Sequence, residues 1–364
     1  MMHALRDAAD RFFGRGRHST AVPIMDGPLQ PDQRLESAPV LAQAPELDNL
    51  VEAGGALLCS SGERLLRIGE GRVTPEGSFD TAITCLAGGA DGALAIGLDG
   101  QGLLLRGGTH HGRRIGPVMD QPLRCPTAAL FLDGDTLVVA SGSERFAASQ
   151  WKHDLMAHGR SGSIWRIDLR SGAARRLAHG MAFPYGLALA DDGKLLATEA
   201  WAHRVVELDA QHPSAPRPVL EDLPAYPARL ARATRGGYWL ALFAPRNPLI
   251  EFVLREPRYR ERMVAEVDPR FWIAPTLAAR SSFRVPLQAG AIRQMNILKP
   301  WAPTFSYGLV AHLDAHLLPT ASWHSRADGS VHGVTSLCEH QGQLIAGAKG
   351  CGRAVRIDPQ AWKD

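Results

Sequence analysis

The chain is poor in cysteine and has no extended apolar segment. Its 364 residues include five cysteines, an odd number, and no two of them form a CxxC pair. The pattern is typical of reduced, mostly buried thiols in a cytoplasmic protein. Cys59 and Cys351 fall at similar places in the first and last units of the chain and would be neighbours in a closed ring, but we favour free thiols for all five. No run of 18 apolar residues occurs, so we expect no transmembrane span.

A strong charge bias is also missing. The formal net charge is +3, and no basic block with interleaved aromatic residues is present. Nucleic acid is therefore not an expected partner. Residues 1–20 hold four arginines around Phe12 and Phe13 but no apolar core of signal-peptide length. We interpret residues 1–35 as an N-terminal arm, either a short surface helix or a frayed segment, with a weak membrane-surface contact as the alternative.

Several well-known catalytic motifs are absent as well. There is no GxSxG elbow, no glycine-rich phosphate loop and no HExxH zinc motif, so hydrolysis by those routes is not indicated. The chain is instead rich in turn-forming residues, with 37 glycines and 25 prolines. Apolar residues make up 45% of it, which is enough for a sizeable core.

Residues 183–209 show how the turns are used. Apolar runs at 186–190 and 195–198 flank an Asp-Asp-Gly turn, and an alternating segment follows at 204–208. Short runs bounded by glycine and aspartate favour antiparallel strands over helix. Because three strands cannot bury both of their faces alone, the unit has to pack against others.

The same arrangement of strand, glycine turn and strand recurs six times. The turn glycines lie at positions 55, 92, 134, 193, 237 and 342, and three of the five intervals are close to 40 residues. Roughly 40 residues is the length of one four-stranded propeller blade. We therefore predict an all-β fold, a six-bladed β-propeller. We expect residues 36–44 to supply the outer strand of the sixth blade, which closes the ring with an N-terminal strand.

The two longer intervals contain insertions. One lies at 143–162 and includes Trp151, and the other lies at about 245–303 in the fifth blade. The second has mixed helical spacing interrupted by Pro257, so we predict a partly helical insertion over one end of the ring. Long loops on a rigid scaffold often form a lid, and sealing of a blade edge is the alternative. The propeller as a whole is assigned to residues 36–364.

Several separated motifs carry a resemblance to a known family. Three stretches occur in order, namely FPYGLALADDGKLLATEAWAHRVVELD, LPAYPARLARATRGGYWLAL and HSRADGSVHGVTSLCEHQGQLIAGAKG. They resemble the strictosidine synthase-like family in its Phe-Pro-Asn-Gly, Gly-Tyr-Pro-Asp-Asn and last-blade segments. The resemblance covers roughly residues 22–358. It implies a six-bladed propeller of the superfamily that also contains gluconolactonases, arylesterases and calcium-dependent phosphotriesterases.

The departures from this family concern its metal. The calcium-dependent members hold the ion at the channel mouth with side-chain oxygens, including the Asn and the Asp of the first two motifs. The corresponding positions here are Tyr185 and Ala228, and Arg229 follows directly. Glu46, Asp48 and Asn49 remain near the start of the first blade, but they are too few alone, because a hard divalent cation needs several oxygen ligands. The resemblance therefore implies no calcium site and no cofactor, with a non-standard divalent ion as the open alternative.

The geometry of a propeller indicates where a site would form. In an antiparallel blade the start of the innermost strand lies beside the end of the second strand, so these ends crowd one mouth of the channel. A small-molecule substrate or ligand is the expected partner there. The candidates for catalysis are His332, Glu199 and Tyr185, and those for substrate binding are Asn49, Thr127, Ser141, Trp151, Arg229, Phe243, Arg246 and Lys349.

Each candidate has a catalytic and a structural interpretation. His332 has a pKa suited to a general base, or it hydrogen-bonds a blade turn. Glu199 activates water or orients His332, or it pairs with an arginine or a lysine. Tyr185 donates to an oxyanion or only fills the channel, and Arg229 clamps a carboxylate or forms a salt bridge at the rim.

Two function classes follow from these residues. The first is a hydrolase that acts on an ester or a lactone without the family's calcium site, with Tyr185, Arg229 or Lys349 polarising the carbonyl. The second is a non-catalytic propeller that binds a metabolite or a protein partner. Condensation of tryptamine with secologanin is not expected, because residues 333–335, which match the plant synthase's catalytic position, contain no carboxylate. The first class rests on family analogy, and one fold hosts many functions.

Overall fold

Six four-stranded antiparallel sheets follow one another round a ring. The computed structural model describes residues 22–69, 72–119, 121–279, 293–294, 297–298 and 304–358. Each sheet is one blade; in the first five blades the first strand in sequence lies innermost, and in the sixth β24 (Val334–His340) does. The predicted all-β, six-bladed propeller is therefore confirmed.

The strands of the first three blades alternate with short turns. They are, after an initial strand β1 (Val40–Gln43), β2 (Leu47–Ala53), β3 (Ala56–Ser61), β4 (Arg64–Gly69) and β5 (Arg72–Ser78); β6 (Ile83–Gly88), β7 (Leu94–Leu98), β8 (Gly102–Arg106) and β9 (Arg114–Ile115); and β10 (Pro126–Asp133), β11 (Thr136–Ser141), β12 (Gly162–Asp168) and β13 (Ala174–Met181).

The remaining blades repeat the pattern, with one small hairpin added. They are β14 (Pro184–Leu189), β15 (Leu195–Glu199), β16 (Arg204–Leu208) and β17 (Arg217–Leu220); β18 (Ala225–Arg232), β19 (Tyr238–Pro245), β22 (Leu309–Leu313) and β23 (Pro319–His324), with the hairpin β20 (Arg293–Gln294) and β21 (Ile297–Leu298) between them; and β24 (Val334–His340), β25 (Gln343–Ala348) and β26 (Arg353–Ile357).

The N-terminal strand completes the sixth blade. Strand β1 pairs antiparallel with β26, so that Val40 lies opposite Val355 and Gln43 lies opposite Arg353. The N-terminal strand β1 thereby supplies the outer strand of a sheet whose other three strands come from the C-terminal part of the chain, so the sixth blade also has four strands. The predicted closure of the ring by an N-terminal strand is confirmed.

The described part of the N-terminal arm lies across the outer edge of the fifth blade. Ser322 on β23 donates from its hydroxyl to the carbonyl of Pro28 at 2.8 Å, and the backbone N–H of His324 donates to Asp32 at 2.9 Å. The backbone N–H of Leu35 donates to the carbonyl of His324 at 3.0 Å. Residues 22–35 thus satisfy polar groups of an edge strand before the chain enters the ring. The predicted surface helix at residues 1–20 lies outside the described residues.

The core lies between neighbouring blades. The second strands are almost completely buried on both faces, and β15 and β19 contain no exposed residue. The inner strands approach closely at one point, where a side chain on Gly186 of β14 would collide with the backbone of Ala228 and Arg229 on β18. Glycine at this position lets blades four and five meet near the channel.

The insertion in the fifth blade begins with two short helices. These are α2 (Pro248–Arg255) and α3 (Pro257–Glu266). An earlier helix, α1 (Trp151–Met156), lies in the 143–162 insertion. The side-chain oxygen of Asn247 caps α2 by accepting from the backbone N–H of Leu249 at 2.9 Å. Proline is the first residue of α2 and of α3. It suits this position because the first N–H groups of a helix have no acceptor within the helix. The predicted partly helical insertion is confirmed over its described part.

None of the helices in the described ranges combines the length and the apolar character needed to cross a membrane.

The five cysteines are free thiols. Cys59, Cys85 and Cys125 are buried, and burial raises the pKa of Cys59 to about 12 and that of Cys85 to about 11. Because the thiolate is the reactive form, we expect these three thiols to resist Ellman's reagent at pH 8 in the native protein. All five should react once the chain is unfolded. Rapid reaction of all five in the native protein would contradict this burial.

Candidate functional site

Strands of four blades bring one polar cluster into the channel. Its members are Asp48 and Asn49 on β2, Tyr185 on β14, Arg229 on β18 and Lys349 just after β25. Four of these five were predicted for the channel mouth from their positions at strand ends. Asp48 is the member whose role the sequence did not reveal, although it directly precedes a predicted residue.

The guanidinium of Arg229 occupies the centre of this cluster. Its Nη1 donates to Asp48 Oδ1 at 3.1 Å and to the carbonyl of Thr335 at 3.2 Å. Its Nη2 donates to the carbonyls of Thr84 and Thr127 at 2.6 and 3.2 Å. Its Cζ also lies 5.1 Å from the ring centroid of Tyr185, within the range of a cation–π contact.

Asp48 is a buried carboxylate held by several donors. Besides Arg229, it accepts from the hydroxyl of Thr335 at 2.6 Å and from the backbone N–H of Asn49 at 2.7 Å. The ammonium of Lys349 lies 3.5 Å from its second oxygen. Burial raises the pKa of Asp48, but the charges of Arg229 and Lys349 and the hydrogen bonds from Thr335 and Asn49 together outweigh burial and lower that pKa below its usual value. The carboxylate is therefore ionised at neutral pH.

Lys349 is the more accessible of the two cations. Its side chain is 31% exposed, whereas that of Arg229 is 13% exposed. Burial lowers the pKa of Lys349, but Asp48, Tyr185 and Glu46 together outweigh burial, so the pKa lies above its usual value. Two cations and one carboxylate leave the cluster with one net positive charge, and Lys349 carries that charge toward solvent.

Asn49 links the first two blades at the same level. Its side-chain N–H groups donate to the hydroxyl of Ser60 at 2.7 Å and to the carbonyl of Ile83 at 3.0 Å. Its backbone has φ of 56°, in the left-handed region that Asn tolerates better than most residues. Its side-chain oxygen is buried and has no hydrogen-bond partner among the described residues.

Aromatic side chains form the wall on one side of Tyr185. The ring of Tyr185 meets Phe183 and Phe243 edge-on, with centroids 5.8 and 6.2 Å apart. Trp151 at the start of α1 packs edge-on against Phe243 at 5.7 Å and stacks on Trp201 at 6.0 Å. Burial raises the pKa of Tyr185, so its hydroxyl stays protonated at neutral pH. The predicted residues Tyr185, Phe243 and Trp151 are thus brought together.

The predicted residue Glu199 is engaged elsewhere. One carboxylate oxygen accepts from the backbone N–H of Ala182 at 2.7 Å, and the other accepts from Arg204 at 2.5 and 2.6 Å. Arg204 lies directly opposite on the neighbouring strand β16. Of the two interpretations of Glu199, the geometry matches the ion pair, and no described contact joins Glu199 to His332.

His332 lies between the fifth and sixth blades with both ring nitrogens bound. Its Nε2 is 2.8 Å from the carbonyl of Arg326, which can only accept, so that nitrogen carries the proton. Nδ1 is 2.8 Å from the hydroxyl of Ser306 and therefore accepts from it. Nothing in the sequence pointed to Ser306, because the two residues belong to different blades.

The other predicted residues have structural contacts. Arg246 pairs with Asp222 at 2.8 Å and with Glu251 at 3.2 Å, which ties the end of β19 to α2. The hydroxyl of Thr127 donates to the carbonyl of Pro184 at 2.6 Å. The backbone carbonyl of Thr127 accepts from Arg229 at 3.2 Å. Ser141 is buried and reaches the carbonyl of Ser143 at 3.4 Å. Arg246 and Ser141 therefore lie outside the polar cluster's contacts.

The residues of the channel do not fit a calcium ion. The oxygens that converge there already accept from a cation of the chain itself, and the set includes a single carboxylate. Calcium takes six to eight oxygen ligands, typically with several carboxylates. In the described part of the chain, no group of three or more His, Cys, Asp or Glu side chains is placed to share a metal ion.

Comparison with curated proteins gives two distant relatives. The chain is 26% identical over 153 residues to the adipocyte plasma membrane-associated protein of Danio rerio, and 26% identical over 129 residues to strictosidine synthase-like 10 of Arabidopsis thaliana. These matches cover 40% and 35% of this chain, and 35% and 34% of the relatives. The chain thus matches about a third of the length of these relatives. No family model matches.

Solved structures share the fold at low identity. A protein described as a putative gluconolactonase aligns with a TM-score of 0.55 at 12% identity, covering 88% of this chain and 91% of its own. A gluconolactonase from Xanthomonas campestris gives 0.54 at 12% identity over 86% of both chains. The calcium-binding protein regucalcin from Agrobacterium tumefaciens gives 0.51 at 13% over 93% of both. The chain is accordingly a six-bladed propeller related to the strictosidine synthase-like proteins, with the fold of the gluconolactonases and regucalcin.

Proposed function

We propose that the protein is a small-molecule hydrolase that opens an ester or a lactone at the channel mouth without a metal ion. The observation that carries this proposal is the ammonium of Lys349, partly exposed above the buried pair of Asp48 and Arg229. A fixed positive charge in a partly desolvated channel stabilises an oxyanion as it develops on a carbonyl. Tyr185, whose hydroxyl is protonated at neutral pH, lines the same channel and can donate to that oxygen.

His332 is the proposed base. Burial lowers its pKa, while the carbonyl of Arg326 opposes this shift, so the imidazole is neutral at pH 7. Its Nδ1 lone pair already accepts the hydroxyl proton of Ser306. The backbone carbonyl of His332 lies beside Gly350, the residue after Lys349, so the backbones that carry the base and the cation are neighbours. In the proposed step water attacks the carbonyl and gives its proton to the hydroxyl of Ser306, which passes its own proton to Nδ1 of His332. The alcohol then leaves with the proton returned by His332.

The fold relatives support hydrolysis as a class. Two of the structural neighbours are described as gluconolactonases, and the ring is shared over most of both chains. At 12% identity this likeness concerns the fold, so the chemistry of the proposal depends on the residues named above. Ester and lactone opening both require a polarised carbonyl and an activated water, which are the two elements assigned here.

The decisive experiment is a hydrolysis screen of the purified protein against aryl esters and lactones. It should be run with EDTA, with added calcium and with neither. We expect turnover that is indifferent to EDTA and to calcium. Turnover that EDTA abolishes would overturn the metal-free assignment.

A specific observation favours a second candidate, a non-catalytic propeller that binds an anionic metabolite or a protein partner. Both carboxylates predicted or found near the channel are neutralised, Asp48 by Arg229 and Glu199 by Arg204. His332→Ala separates the two functions. In a hydrolase it should lower turnover by about 100-fold or more while the unfolding curve stays near that of the wild type. In a binding protein it should change affinity alone.

A further inference from the structure

All six blades meet at the guanidinium of Arg229. The fifth blade supplies the side chain itself, and the fourth covers it with the ring of Tyr185 at 5.1 Å. The remaining four blades each supply one acceptor oxygen, namely Asp48 Oδ1 and the carbonyls of Thr84, Thr127 and Thr335. One cation therefore satisfies polar groups from blades that are remote in sequence.

These acceptors suit a planar cation better than a hard ion. The four N···O distances lie between 2.6 and 3.2 Å, and each terminal nitrogen of Arg229 serves two oxygens. Three of the four acceptors are backbone carbonyls, whereas calcium sites with useful affinity draw on several carboxylates. The ammonium of Lys349, 3.5 Å from Asp48, adds a positive charge that would repel a divalent ion.

We propose that the Arg229 guanidinium is the resident cation of this propeller and takes the place of a channel metal. The folded ring then needs no divalent ion. The oxygens around Arg229 form a site that selects a guanidinium group over a hard metal ion. The stability of the ring and its choice of cation do not depend on whether the protein hydrolyses a substrate.

Removal of Arg229 leaves the acceptors in place, which makes the proposal testable by chemical rescue. Free guanidinium has the same planar nitrogen arrangement as the end of the side chain. Its third nitrogen would stand where Nε of Arg229 is buried without a hydrogen-bond partner among the described residues. The lost contacts can therefore be restored from solution.

The experiment follows thermal unfolding of the full chain and of Arg229→Ala. We expect Arg229→Ala to lower the apparent Tm by about 5–10 °C, because a buried carboxylate loses its partner. Low-millimolar guanidinium chloride should recover a measurable part of this loss. Equal sodium chloride, the neutral analogue urea and calcium chloride should not. The wild-type Tm should be unchanged by EDTA and by calcium.

Two further variants keep the test decisive. Arg232→Ala removes an exposed arginine three residues along the same strand, ion-paired with Asp191, and should show neither the loss nor the rescue. If Arg229→Ala fails to fold, Arg229→Lys keeps the charge without the two-nitrogen fork and should fold with a lower Tm than the wild type. A saturable rise of the wild-type Tm with calcium, or rescue of Arg229→Ala by calcium but not by guanidinium, would overturn the proposal.

Discussion

Replacing Asp48 by asparagine should lower the free energy of unfolding by about 3–5 kcal/mol at pH 7, the usual cost of removing one partner of a buried ion pair. The side chain is nearly the same size, so the loss reflects charge rather than packing. Arg229 and Lys349 would remain in the channel without their counter-ion. Urea-induced unfolding, followed by tryptophan fluorescence, measures this difference directly.

The matched control is Asp135→Asn. Asp135 also pairs with two positively charged or titratable side chains, His110 at 2.8 Å and Arg170, but it is 32% exposed and Arg170 is 78% exposed. Solvent screens such pairs, so the control should lower the free energy of unfolding far less than Asp48→Asn does. Equal losses for the two variants would mean that the channel pair has no special role in stability.

The pH dependence of the same comparison has a definite sign. The pKa of Asp48 is lower in the folded protein than in the unfolded chain. Its stabilisation is therefore fully present above the unfolded value of about 4 and is lost as pH falls through the folded value. The difference between wild type and Asp48→Asn should be constant from pH 5 to 8 and should shrink under more acidic conditions. A difference that grows on acidification would contradict the assignment.

The ring was predictable because its signals are local. Each blade is recognisable in the sequence as an apolar strand, a glycine turn and a second strand, and the interval between successive turns gives the length of one blade. The boundary between helices α2 and α3 at Pro257 was predictable for the same reason, because proline ends one helix and is accepted at the first position of the next. The pairing of Glu199 with Arg204 was also within reach, because the two face each other across a short turn.

The environment of Arg229 could not be predicted in the same way. Three of its acceptors are backbone carbonyls, and a carbonyl leaves no mark on the identity of its residue. Asp48 and Thr335 meet across the closure of the ring, almost three hundred residues apart in sequence. The orientation of His332 likewise depends on Ser306, a residue of another blade. Strand ends thus pointed to Asn49, Tyr185, Arg229 and Lys349 but also to Ser141 and Arg246, which lie outside the cluster, and the partners of all of them depend on the closed ring.

A large effect on function is expected from Lys349→Met. This change keeps most of the length of the side chain and removes the more exposed of the two channel cations. If the ammonium stabilises the developing oxyanion, kcat/KM for the hydrolysed ester or lactone should fall by about 100-fold, in the range seen when one oxyanion donor is lost. The fall should lie mainly in kcat, since the interaction strengthens in the transition state.

Stability separates this role from a structural one. Asp48 keeps Arg229 and Thr335 when Lys349 is removed, so the unfolding midpoint of Lys349→Met should stay close to that of the wild type. Lys194→Met, at the exposed turn of the fourth blade beside Asp192 and Glu207, is the control and should leave both turnover and stability unchanged. A rise in KM with kcat intact would instead assign Lys349 to substrate binding. Unchanged kinetics would show that Lys349 has no role in turnover, and the Asp48–Arg229 pair would then have a structural role alone.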